Sequence, residues 1–126
     1  MLANANITTI VPVRDIARAR GFYESALGLD PVGEQPDGGF GFGTAGGSAI
    51  SLLPDPDGQP SPRTTLSFEV DDVSAAVHAL EAGGVAFEDY DIPGMTTVDH
   101  ISTAQGEQAA WFKDTEGNIL CVHGTQ

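Results

Sequence analysis

A chain that repeats a supersecondary pattern is constrained to fold both copies alike, and this chain carries such a repeat. Residues 7–16 read ITTIVPVRDI and residues 64–73 read TTLSFEVDDV. At an offset of 57, Thr8 aligns with Thr65, Val13 with Val70, Asp15 with Asp72 and Ile16 with Val73. Later the offset becomes 70. FGTAGGSAISL, residues 42–52, then lies against FKDTEGNILCV, residues 112–122, pairing Phe42 with Phe112, Gly47 with Gly117 and Ile50 with Leu120. The second copy thus holds thirteen more residues, which the comparison assigns to an extra loop within DIPGMTTVDHISTAQG, residues 91–106.

Each copy reads as a strand, a helix and three strands. Residues 7–13 form the first strand, and Asp15 suits a helix N-cap, where its carboxylate accepts an orphan backbone N–H. Ile16, Ala19, Phe22, Tyr23, Ala26 and Leu27 recur at helical spacing, and Gly28 fits the left-handed position that ends a helix. Strands are expected near 30–35, 38–43 and 48–53, with TAGG turning the last pair. In the second copy, strand 64–70 precedes a helix capped by Asp71 and Asp72 and ended by Gly83-Gly84. That helix carries Val73, Ala76, Val77 and Leu80. Strands follow near 85–90, 108–113 and 118–123, with DTEG as the last turn. The Pro-rich PDPDGQPSPR, residues 54–63, links module 1–58 to module 64–126 within one domain. The expected fold class is α+β: two tandem βαβββ modules whose eight strands form a barrel-like sheet around a cleft.

Eighteen acidic and five basic residues give a net charge of −13. That excess opposes binding to nucleic acid or to an anionic membrane, both of which need a basic face. It admits two readings: a field that attracts a cationic ligand, or plain solubility and salt adaptation. Residues 63–126 carry eleven of the acidic residues and two of the basic ones. A lone Cys121 cannot form an internal disulfide, so a reducing cytoplasm is expected. The first residues lack the basic region of a secretion signal, and no run approaches the ~20 apolar residues of a membrane span.

ITTIVPVRDIARARGFYESALGL (residues 7–29), LSFEVDDVSAAVHALEAGGV (66–85) and WFKDTEGNIL (111–120) together resemble the vicinal oxygen chelate superfamily. That superfamily includes glyoxalase I, bleomycin-resistance proteins and extradiol dioxygenases. The resemblance covers nearly the whole chain and speaks to fold more than to activity. Its metalloenzymes hold a divalent ion with His and Glu at four positions, which fall here on Thr8, Ser51, Thr65 and Cys121. Hydroxyls are weak ligands for such ions, so no metal or other cofactor is expected. The resemblance also implies a homodimer.

Strand alternation turns Thr65, Ser67 and Glu69 inward with one another, and Cys121 with His123. Pairing across TAGG would set Phe40 opposite Ser51 and Phe42 opposite Ala49. In the second hairpin it would set Phe112 opposite Ile119. The cleft then has aromatic walls (Phe40, Phe42, Phe112), hydroxyls from Thr8, Ser51, Thr65 and Ser67, and the carboxylate of Glu69. Ordinary core packing is the competing reading for the three phenylalanines, as a solvated strand end is for Glu69. His100, in the extra loop, is the candidate general base or ligand contact alongside Glu69, and a plain loop residue otherwise. His78 reads as a surface residue of the second helix. Cys121 and His123 are two apart on one strand, which separates them by ~6.5–7 Å, too far for an easy nucleophilic pair.

The functional expectation is a binder that sequesters a small compound, cationic on the electrostatic argument. The alternative is a divalent-metal-dependent lyase, isomerase or dioxygenase with an atypical site.

Overall fold

In the computed structural model, which describes residues 1–126, the chain divides into two units, Met1–Gln59 and Pro60–Gln126. In the first, strand β1 (Thr8–Val13) leads to helix α1 (Ile16–Gly21), which runs on into a π-helical turn over Phe22–Ala26. Asp15 caps α1, its carboxylate accepting the Arg18 N–H at 3.1 Å. Gly28 closes the segment at φ +70°, where a Cβ would be strained. Strands β2 (Asp30–Glu34), β3 (Phe40–Gly43) and β4 (Ala49–Pro54) complete a four-stranded sheet of order β1-β4-β3-β2, with β1 parallel to β4. Its core holds Val11, Val13, Ala19, Tyr23, Ile50 and Leu52.

The second unit repeats the plan. Strand β5 (Thr64–Glu69) precedes helix α2 (Val73–Ala82), whose N-cap Asp72 accepts the Ala75 N–H at 3.0 Å. Strands β6 (Asp91–Ile92), β7 (Met95–Val98), β8 (Ile101–Ala104), β9 (Glu107–Lys113) and β10 (Ile119–Thr125) follow. The sheet order is β5-β10-β9-β8-β7-β6, with β5 parallel to β10. α2 packs on β9 and β10 and buries Val73 and Val77. No helix is long and apolar enough to cross a membrane.

The α+β class and the strand–helix–strand order match expectation, but the single eight-stranded barrel does not. Ten strands form two sheets, of four and six, and no barrel closes. The extra residues of the second copy are strands rather than loop. Val98 pairs with Ile101 across Asp99-His100, both at positive φ, as a two-residue type I′ hairpin demands. Ala104 pairs with Glu107 across Gln105-Gly106 in the same way. The strand expected near 85–90 shrinks to one bridge, Phe87 to Phe112.

The hairpin registers also shift by one. Phe40 faces Leu52, Phe42 faces Ile50, and Phe112 faces Leu120. The cause is the same in both copies. The Thr44 N–H bonds the Ser48 carbonyl and the Asp114 N–H bonds the Asn118 carbonyl, with Gly47 at φ +93° and Gly117 at φ +87°. A turn followed by a left-handed glycine adds one bulged residue to the loop.

Candidate functional site

That one-residue shift decides which side chains meet the helices. Phe40 and Phe42 lie on the side of α1. The Phe42 ring is 6.2 Å from Tyr23, and the Arg20 guanidinium sits 3.7 Å over Phe40. Phe112 is fully buried, edge-on to Phe87 at 5.3 Å. These three phenylalanines are core, not cavity wall, because their partners Leu52, Ile50 and Leu120 belong to the helix-facing phase of each sheet.

In each sheet the opposite phase makes an open face. In the first unit it carries Thr8, paired with Ala49, and Ser51, paired with Ile10 and Gly41. Ser51 is buried and its hydroxyl makes no hydrogen bond. In the second unit Thr65 sits at a bulge, where pairing skips from Thr64–Ile119 to Leu66–Leu120. Beyond it, Ser67 pairs with Cys121 and Glu69 with His123. The Ser67 hydroxyl and His123 Nδ1 lie 2.5 Å apart, and His123 Nε2 stands 3.9 Å from Glu69 Oε1. His123 is thus bonded to Ser67 rather than to Cys121. Burial raises the Cys121 thiol above its ordinary range, with its hydrogen bond to Ser67 opposing, so it stays protonated near neutrality.

Cys121 faces Trp111 across β9 and β10, and Trp111 was not among the candidates from sequence. Tyr90 stands edge-on to it, centroids 5.6 Å apart at 86°. Together with Arg63, Met95 and Ile119 they line a hollow of about 490 Å³. Burial, followed by the charges of Glu88 and Cys121, raises the Tyr90 phenol above its ordinary 10.0, so it remains a neutral donor. The missed signal was alternation: Trp111 adjoins core Phe112 and so must take the open face. Further along β10, Glu69, Asp71, Glu107 and His123 border an acidic recess of about 300 Å³. Ile119 touches the hollow and His123 the recess, four residues or ~13 Å apart along one strand.

His100 lies off this face. Its Nδ1 is 2.8 Å from Asp89 Oδ1 and its Nε2 is 3.2 Å from Glu81 Oε2, while its ring stacks on Phe87 at 6.0 Å. The Asp89 hydrogen bond is the largest cause holding its proton above the usual histidine range. With both ring nitrogens directed at carboxylates of the chain itself, neither is left facing a ligand, so the geometry does not support a general-base role.

No group of three or more His, Cys, Asp or Glu side chains is placed to hold a metal ion. Thr8 and Ser51 of the first unit and Thr65 of the second present hydroxyls, weak ligands for a divalent ion, and Cys121 presents a buried thiol.

Comparison with known proteins agrees with this architecture. The antibiotic-binding protein TnmS3 from Streptomyces sp. CB03234 is 23% identical, with a TM-score of 0.72 over 100% of this chain and 99% of that one. A glyoxalase/bleomycin resistance protein from the same strain is 26% identical, with a TM-score of 0.70 over 97% and 100%. A superfamily member from Sphaerobacter thermophilus DSM 20745 is 21% identical, with a TM-score of 0.76 over 98% and 99%. Comparison with the curated proteins found no match. A family model matches residues 6–122, and on that match the chain belongs to the Glyoxalase/Bleomycin resistance protein/Dioxygenase superfamily.

Proposed function

We propose that this protein binds a small, flat organic molecule on the open face of its second unit, without a metal or other cofactor. The observation that carries the reading is the Tyr90–Trp111 corner, two rings set edge-on in a hollow of about 490 Å³ rather than packed into core. Such pockets combine apolar walls with a few polar groups. Here the polar groups are the Tyr90 hydroxyl, the Arg63 guanidinium and, further along β10, the Ser67–His123 pair. A cationic group on the ligand would lie at the acidic recess rather than beside Arg63. The related antibiotic-binding protein supports sequestration as the role. The hydroxyls of Thr8, Ser51 and Thr65, each a weak metal ligand, support binding over metal-dependent catalysis. A homodimer in the cytoplasm completes the proposal.

The test titrates the protein with an acridine dye whose ammonium group hangs on a long flexible side chain able to reach the recess, and with neutral anthracene, reading quenching of Trp111, the sole tryptophan. Trp111→Ala, followed by dye fluorescence, should weaken acridine binding about fivefold or more, since aromatic stacking contributes ~1–3 kcal/mol. Acridine affinity should fall with added salt while anthracene affinity does not. Equal affinity in Trp111→Ala would remove the hollow as the site. A stoichiometric, tightly held divalent ion in the purified protein would overturn the metal-free reading.

A further inference from the structure

We propose that His100 is a positioning residue: as an imidazolium it clamps Asp89 to Glu81 and thereby holds Tyr90 as a wall of the hollow. A neutral imidazole carries one N–H and can donate once. Here both ring nitrogens face a carboxylate oxygen, Nδ1 at 2.8 Å and Nε2 at 3.2 Å, which is the arrangement of the charged form.

The clamp connects directly to the hollow. The Thr97 hydroxyl lies 3.3 Å from both Asp89 Oδ1 and the Tyr90 carbonyl oxygen, which share its one proton. The Tyr90 N–H donates to that same hydroxyl at 2.9 Å, and the Thr97 N–H donates to the Tyr90 carbonyl at 2.8 Å. Asp89, Tyr90 and Thr97 therefore form one knot, and Tyr90 leaves it edge-on to Trp111. Met95, at the start of the same strand as Thr97, lines the hollow beside them.

The backbone gives a second, independent argument. His100 has φ +72° and Asp99 φ +51°, positions that glycine occupies without strain. A histidine there accepts a conformation that L residues disfavour, and its imidazole gains two carboxylates and the face of Phe87. The charged and titratable groups around it are Glu81 of α2, with His78 one turn earlier, Asp89 from the 85–90 segment, and Asp99 in its own turn. Three of these four are carboxylates, which favour the cation.

The sign follows. Below its titration the imidazolium bridges both carboxylates. Above it, one nitrogen presents a lone pair to a carboxylate, and that half of the clamp is lost. Control of ligand binding by this clamp rests on the function proposed above, whereas the clamp itself is tested without ligand.

The test uses the full-length protein from pH 5 to 9. NMR follows the His100 ring protons, and acrylamide quenching follows Trp111. The His100 midpoint should lie above 6.5, and Trp111 should become more accessible as pH rises through it. In His100→Gln the Trp111 transition should vanish, leaving high accessibility at every pH. His100→Gly, which suits the turn's φ, should do the same with the fold kept. Glu81→Gln should lower the midpoint. His123→Gln should leave the transition in place, although His123 lies on the same face as Trp111. The proposal is overturned if the transition persists in both His100 variants, if His123→Gln abolishes it, or if Trp111 shows none. Acridine titrations separate the two readings. No dye binding at any pH, with the Trp111 transition intact, removes the hollow as a binding site and keeps the clamp.

Discussion

Gly124→Ala should loosen the junction of β10 with the start of α2. A Cβ at Gly124 would overlap the Val70 carbonyl oxygen and stand 3.3 Å from Val73 Cγ2. The overlapped atom is backbone and cannot rotate aside. The residue it belongs to is itself tied in, since the Val70 N–H donates to the His123 carbonyl at 2.9 Å. Relief requires β10 or the β5–α2 connection to shift, and overpacking of this kind costs ~1–3 kcal/mol. Against it stands a gain of ~0.4–1 kcal/mol from the stiffer unfolded chain. The expected net loss is about 1–2 kcal/mol. With a urea slope of ~1–3 kcal/mol/M, the unfolding midpoint should fall by roughly 0.5–1 M at unchanged slope. Trp111, on the neighbouring strand, reports the transition directly. A midpoint within ~0.2 M of wild type would show that the strand–helix crossing yields freely and would refute the overpacking argument.

Two other perturbations probe the open face. Ser51→Ala removes a buried hydroxyl that has no partner, so stability should hold or rise by up to ~1 kcal/mol in thermal unfolding; a clear loss would mean the hydroxyl is bonded in solution. Cys121 should react with a thiol reagent at pH 8 far more slowly in the native protein than in urea. Its raised native pKa means the unfolded chain loses that proton first, so this contribution to stability is present below about pH 9 and declines above it.

The repeated features were legible because they rest on local chemistry. Asp15 and Asp72 announce helix starts by their position before an apolar period, and Gly47 and Gly117 announce turns by needing positive φ. Three things escaped. Strands β7 and β8 were hidden because their I′ turn uses Asp99-His100 in place of the usual Asn-Gly, so the punctuation looked like loop. The hairpin register slipped because the bulge at each turn adds a residue that composition does not reveal, and a one-residue slip reverses every face. Phe40, Phe42 and Phe112 were accordingly set in the cavity and Trp111 was passed over. Tyr90 could not be found by pattern, since the segment around it has no regular period and reaches Trp111 through tertiary contact alone.

The two open sheets also bear on how this protein avoids aggregation. A sheet that does not close exposes backbone donors at its outer strands, and an arriving strand can extend it. In the four-stranded sheet both outer strands, β1 and β2, contain proline (Pro12 and Pro31), and β2 is further broken by a bulge after Pro31. In the six-stranded sheet the outer strand β6 is two residues long, carries Asp91 and runs into Pro93. Three of the four outer strands are thus poor templates for addition, through missing N–H groups or sheer shortness. The fourth, β5, is six residues long without proline, and it ends in the charge of Glu69.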